Sequence, residues 1–187
     1  ADESELAGDA LAGAALHSLR VRGSVLRGLD LTAATAAGID LADVVVRNGS
    51  WANLDAREAT IVRLEATGLR GTGAQLPESE LTDCTFVDCR LDLTSFRYGQ
   101  LERIVFRDCR LDEADFLGAT LRSVRFEGCV LARASLEEST FERCEIRNCE
   151  LTDLTGVDRL RGTRMPWPDV VQIAGLLAAA SGIAVVD

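Results

Sequence analysis

The residues of this 187-residue chain best able to do chemistry are its six cysteines, which could serve as metal ligands, redox partners or nucleophiles. Cys84, Cys89, Cys109, Cys129, Cys144 and Cys149 all fall at one phase of a five-residue period, and four of them are spaced twenty apart. A zinc site needs ligands that converge tetrahedrally, usually with histidine among them. The sole histidine, His17, lies at a different phase, one expected to face outward. Parallel Cβ directions within a stacked column also argue against disulfides, as does the reducing context expected of this chain. The expectation is six buried thiols that pack as small apolar groups. Neither a nucleophile elbow nor a phosphate-binding Walker loop occurs. Gly71-Thr72-Gly73 is too short to cradle a phosphate, and the acidic pairs Glu137-Glu138 and Asp112-Glu113 fall at outward positions without a cleft to perturb them. No enzyme, no metal and no cofactor are therefore expected.

Composition narrows the partners. The net charge is −10 and every basic residue is arginine. Such a chain repels phosphate backbones, which argues against direct nucleic-acid binding, and attracts basic grooves on proteins. An apolar content of 47% argues against disorder. No apolar run has membrane-spanning length. The acidic opening from Ala1 to Asp9 has no basic segment of a signal peptide, so a cytoplasmic protein is expected.

The elements that carry these residues follow from the period. Every fifth residue from Leu81 to Leu151 is large and apolar, and all six phenylalanines belong to this set. Five matches neither the 3.6 of a helix nor the 2 of a strand. The residue two positions before each of these centres is small or medium, as at Cys84, Thr94, Gly99, Ala114 and Ser139. Residues two apart on an extended segment share a face. Each pentad is thus a short strand with two inward side chains, followed by a polar turn.

Segments such as Ala114-Asp115-Phe116-Leu117-Gly118 and Ala52-Asn53-Leu54-Asp55-Ala56 resemble the motif of the pentapeptide-repeat family. The resemblance implies an all-β fold, a right-handed quadrilateral parallel β-helix with four pentads per coil. Residue n then lies under residue n+20. The expected layout is an N-terminal segment over 1–20 forming the first coil, the β-helix over 21–155, and a C-terminal helix and tail over 156–187. Alanine content also suits a helix near the start, and both readings stay open there.

Between residues 51 and 75 the large residues shift to Leu54, Leu64 and Leu69 while the centres shrink to Ala56, Ala66 and Gly71. A continuous register conserves core volume; a local slip that makes Leu54 a centre is the rival. Beyond Leu154, a helix over 169–181 should start after Pro168 and end at Gly182, with a β-type tail over 183–186 and the whole segment closing the last coil.

Stacking at twenty also sorts charge. Glu102, Arg122 and Glu142 form one alternating column, and Arg107, Glu127 and Arg147 another, as expected of ion-pair ladders. The face centred on Leu76, Phe96, Phe116 and Leu136 differs. It carries Glu78, Asp115, Glu137, Glu138 and Asp158 against one base, Arg97, with Tyr98 and Leu117 outward. Residues 76–155 hold 17 acids and 10 arginines, whereas 21–75 hold six of each, so the excess charge lies on the C-terminal half. The expected partner-binding residues are Glu78, Tyr98, Asp115, Leu117, Glu137 and Glu138. The expected dimerisation residues are Met165, Trp167, Val170, Val171, Ile173, Leu176 and Leu177, because one helix needs less apolar surface than these offer to act as a cap.

Within the family, the resemblance points to the Qnr and mycobacterial fluoroquinolone-resistance group: dimeric acidic rods that resemble DNA and bind DNA gyrase. This chain lacks the projecting loop insertions that many Qnr proteins carry. Two functional readings follow. One is a non-catalytic, homodimeric protein-binding rod that mimics DNA towards gyrase; the other is a scaffold or regulator with an unrelated protein partner.

Overall fold

The computed structural model describes residues 4–7, 11–17 and 19–186, with backbone alone for residues 4–7. The rest of the acidic opening lies outside the described residues.

The architecture is a parallel β-helix whose rungs repeat every twenty residues. Four strands run β1 Ser4–Ala7, β2 Arg20–Arg27, β3 Asp40–Arg47 and β4 Thr60–Thr67. Beyond them each rung carries two short strands: β5 Glu80–Thr82 and β6 Thr85–Val87, β7 Gln100–Glu102 and β8 Val105–Arg107, β9 Thr120–Arg122 and β10 Arg125–Glu127, β11 Thr140–Glu142 and β12 Glu145–Arg147. All pair in parallel at a register of n to n+20, as in Leu6 with Leu26 and Phe86 with Phe106.

We number the four faces by their centres. The first runs through Leu81, Leu101 and Leu121, and the second through Phe86, Phe106 and Phe126. The third runs through Leu91 and Leu111, and the fourth through Phe96 and Phe116. On the third and fourth faces most turns after a centre close with a backbone bond, such as Leu54 N–H to Trp51 C=O at 3.0 Å and Gly99 N–H to Phe96 C=O at 3.1 Å.

A strict backbone rule sets the corners. The residue two after each centre has positive φ at every pentad from Gly23 to Asp153. Most of these residues are not glycine, and none is valine, isoleucine or threonine. Branching at Cβ would crowd the backbone in this left-handed conformation, whereas Asn, Asp and Gly tolerate it. The phase runs unbroken through Asn53, Glu58, Arg63, Gly68 and Gly73, so the register is continuous between residues 51 and 75. Leu54 and Ala56 are both buried, and so are Leu64 with Ala66. Volume is conserved along the third face too: Gly71 lies above Trp51, and Leu91 occupies the space that a Cβ on Gly71 would need. Pro77 falls one residue after its centre, where the N–H is spare: its neighbours Leu76 and Glu78 donate to the next rung at 2.8 Å each.

The interior is a column of rings. Phe86 stacks on Phe106 at 5.1 Å and Phe106 on Phe126 at 5.2 Å. Phe96 stacks on Phe116 at 5.1 Å, and the two stacks meet edge to face at 6.1 and 5.9 Å.

The C-terminal end departs from a single helix. A 3-10 turn, Val157–Leu160, leads to α1 Trp167–Gln172 and α2 Ala174–Ala180, broken at Ile173. The break drops Ile173 into the core, where it is 0% exposed beneath Val157 and Leu160. Gln172 closes the last coil by donating from Nε2 to the Cys149 carbonyl at 3.0 Å and accepting from the Leu151 N–H at 3.3 Å. Arg164 adds a single bridge to Glu145 on the second face. Residues 183–186 form no strand, contrary to expectation; they leave the rod and find no ladder to join. No helix among the described residues is long and apolar enough to cross a membrane.

Candidate functional site

The cysteines take the role of core residues. All six are free and buried, and no metal-binding group of His, Cys, Asp and Glu occurs among the described residues. Each thiol donates to the carbonyl of the centre residue 23 positions earlier, as from Cys109 to Phe86 at 3.4 Å and from Cys144 to Leu121 at 3.3 Å. Thr94 does the same with its hydroxyl, to Gly71 at 3.0 Å. Ser79 does so too, to Ala56 at 3.3 Å, whereas Ser139 turns to the Leu136 carbonyl on its own rung. Burial pushes the Cys84 thiol up to about 11, which disfavours the reactive thiolate.

Part of the surface charge is spent in ladders. Arg122 donates to Glu142 at 3.1 Å and Arg107 to Glu127 at 3.1 Å, both one rung apart. Arg63 holds Asp43 at 2.5 Å and Arg103 holds Asp83 at 2.5 Å in the same way. These arginines keep the Asp43 and Asp83 carboxyls below the usual carboxylate range, chiefly through the hydrogen bonds. Each expected column is only half realised: Glu102 is held by Arg103 rather than by Arg122, and Arg147 bonds Glu145 on its own rung rather than Glu127.

The fourth face brings the expected partner-binding residues together. Glu78, Tyr98, Gly118 and Glu138 stand in one corner column, since each occupies the positive-φ position of its pentad. The Tyr98 ring lies over Gly118, where an added Cβ would collide with it. The missing side chain at Gly118 gives the ring its seat, and Tyr98 remains 54% exposed. Glu137 and Glu138 are exposed and Leu117 is half-buried.

Asp115 differs from the other acids on this face. Arg97 pairs with it at 2.7 Å and its Oδ1 accepts the Leu117 N–H at 2.9 Å, so its charge is largely neutralised. Asp158 is similarly paired with Arg159 at 3.2 Å. Glu78, Glu137 and Glu138 make no ion pair among the described residues and supply the open negative field. At the other corner of the fourth face, Leu93 is 52% exposed, an apolar surface residue that the sequence reading did not single out. Its signal was the corner phase, which puts any residue there outside the core.

The C-terminal residues divide in a way that periodicity did not foresee. Trp167 is 75% exposed and Val171 is exposed beside it. Met165, Leu176 and Leu177 pack partly against the core, Val170 is half-buried, and Ile173 is wholly enclosed and cannot meet a second chain. Ile183, Val185 and Val186 add exposed apolar surface at the same end.

Comparison with known proteins agrees with this geometry. The family described as a pentapeptide repeat region matches residues 79–156. Two trypsin-treated variants of QnrB1, a plasmid-mediated fluoroquinolone resistance protein, are similar in structure. The first has a TM-score of 0.59 at 17% identity, covering 96% of this chain and 99% of its own. The second has a TM-score of 0.55 at 18% identity, covering 92% and 97%. Rfr23, a pentapeptide repeat protein from the cyanobacterium Cyanothece 51142, gives a TM-score of 0.47 at 20% identity over 49% of this chain and 63% of its own. Comparison with curated protein sequences returns no match.

Proposed function

The chain belongs to the pentapeptide-repeat family, and from that premise we propose that it is a non-catalytic protein-binding rod whose fourth face enters a basic groove on a protein partner. DNA gyrase is the first partner to test, because the sequence resembles a group whose acidic rods bind it. The observation that carries the reading is the segregation of charge. Many arginines and acids elsewhere pair within or between rungs, whereas on the fourth face Glu78, Glu137 and Glu138 stand without ion pairs around an exposed tyrosine, and Arg97 there is held by Asp115. Unneutralised carboxylates project potential beyond the surface and steer association. Tyr98 and Leu93 would supply the desolvated contact area that anchors such an interface.

In this reading two rods join at their C-terminal ends through Trp167 and Val171, with Ile183, Val185 and Val186 beside them. A symmetric pair of this kind is the commonest closed assembly.

The test is a gyrase supercoiling assay with purified protein, with and without a fluoroquinolone. The parent should alter supercoiling or drug-induced cleavage, and Glu137→Arg with Glu138→Arg should abolish that effect without changing the fold. If the double variant acts as the parent does, the acidic face is not the contact. If the parent leaves gyrase untouched, the scaffold reading with another partner takes its place.

A further inference from the structure

Diagonally across the rod from the third–fourth corner, at the corner between the first and second faces, lies an open groove of about 470 Å³ lined by Arg103, Val105, Ser123, Arg125, Arg143, Glu145 and Arg164. Register explains its shape. Residues 103, 123 and 143 occupy the same positive-φ corner on successive rungs. At about 4.8 Å per rung, Arg103 and Arg143 are roughly 10 Å apart along the rod. Ser123 is the short side chain between two long ones, so the corner is notched at its rung.

The charges at the notch are less completely paired than those of the ladders. Elsewhere Arg63, Arg107, Arg122 and Arg133 donate to a carboxylate one rung away at 2.5 to 3.1 Å. At the notch Arg103 follows that rule, held by Asp83 and Glu102. The other three do not. Arg125 is 3.7 Å from Glu127 and Arg164 is 4.0 Å from Glu145, both beyond hydrogen-bonding distance. Arg143 makes no ion pair among the described residues, and the Ser123 hydroxyl has no protein partner there. Glu145, the one acid in the lining, is engaged by Arg147, which keeps it below the usual carboxylate range. Three guanidiniums with unused donors thus converge in a chain of net charge −10.

We propose that this notch binds the phosphate group of a small phosphorylated ligand. The site is independent of the fourth face and goes beyond the partner-binding reading. Guanidinium forks match the oxygens of phosphate and give charge-assisted hydrogen bonds, and a dianion answers several cations better than a carboxylate does. The volume falls within the range of small-molecule clefts. A long polyanion is disfavoured. It would run past the notch onto Asp83, Glu102, Glu127 and Glu142, whose like charge repels a phosphate backbone. The ligand therefore carries one compact mono- or diphosphate.

Isothermal titration of the full chain with inorganic pyrophosphate, at physiological ionic strength held constant, tests the site. One saturable site per chain is expected. Arg125→Gln with Arg143→Gln should weaken it at least tenfold, whereas Arg70→Gln with Arg90→Gln on the third face should leave it unchanged. All four side chains are exposed, and circular dichroism and melting would establish that both variants fold. A nucleoside diphosphate should compete with pyrophosphate, and a short DNA duplex should not. Absence of saturable binding overturns the proposal, as does equal weakening in the control pair. Stronger competition by the duplex would reject a compact ligand in favour of a nucleic-acid backbone and would also overturn it.

Discussion

Replacing Phe106 with alanine tests the core that everything else is mounted on. Phe106 is 0% exposed and touches three other rings, stacking on Phe86 and Phe126 and meeting Phe96 edge to face. Burial of a phenylalanine in a rigid interior is worth about 3–5 kcal/mol on truncation. Aromatic pairs add about 0.5–1.5 kcal/mol each beyond area, so the loss should fall in the upper half of that range. Because β-strands above and below hold the cavity open, relaxation can recover little of it. Phe141 provides the comparison: it lies on the last rung, is 8% exposed and makes no ring pair. In a stacked array a terminal residue supports one interface and a central residue two. Phe141→Ala should therefore cost about 3 kcal/mol or less. Urea unfolding followed by far-ultraviolet circular dichroism would measure both. In melting, Phe106→Ala should lower Tm by roughly 8–20 °C, at about 2–4 °C per kcal/mol for a chain of this size. A loss below about 1 kcal/mol at Phe106, or a loss at Phe141 as large as at Phe106, would refute the column of stacked rings.

Further outcomes follow from the same coordinates. The six thiols should resist a thiol reagent in the folded chain and all titrate as free once urea is added; one native disulfide would contradict the buried, reduced arrangement. At the left-handed corner Asp153, where φ is 55°, Asp153→Gly should be neutral to mildly stabilising and Asp153→Val should cost about 1–2 kcal/mol, a contrast that calorimetry can read. Asp43, Asp83 and Glu145 have lowered pKa values in the folded state, chiefly from arginine hydrogen bonds. Their stabilisation is therefore complete above the ordinary values and is lost as pH falls through the lowered ones. Tm should be level from neutrality to about pH 5 and drop below about pH 4, and a level Tm down to about pH 3 would discount the ladders. Trp167→Glu with Val171→Glu should halve the mass seen by light scattering, and an unchanged mass would place any dimer contact elsewhere.

The sequence by itself determined the fold through two phases of a five-residue period, the large centres and the smaller residues two before them. These sufficed because a β-helix is built from local repetition: the contacts of each pentad lie at a constant offset of twenty, so reading one coil reads them all. It also contained a third phase that went unread, the ban on β-branched residues two after each centre. That phase alone would have resolved the register at residues 51–75, because sterics at positive φ leave no alternative. Only the tertiary structure could decide which charges are spent. Asp115 and Glu138 look alike in the sequence, yet Arg97 reaches one and nothing reaches the other, since the match depends on side-chain reach across a rung. The same holds for the three unengaged arginines around Ser123. The C-terminal end, lacking the repeat, was legible as helical but not as broken, because whether Ile173 turns inward is set by the shape of the coil it closes.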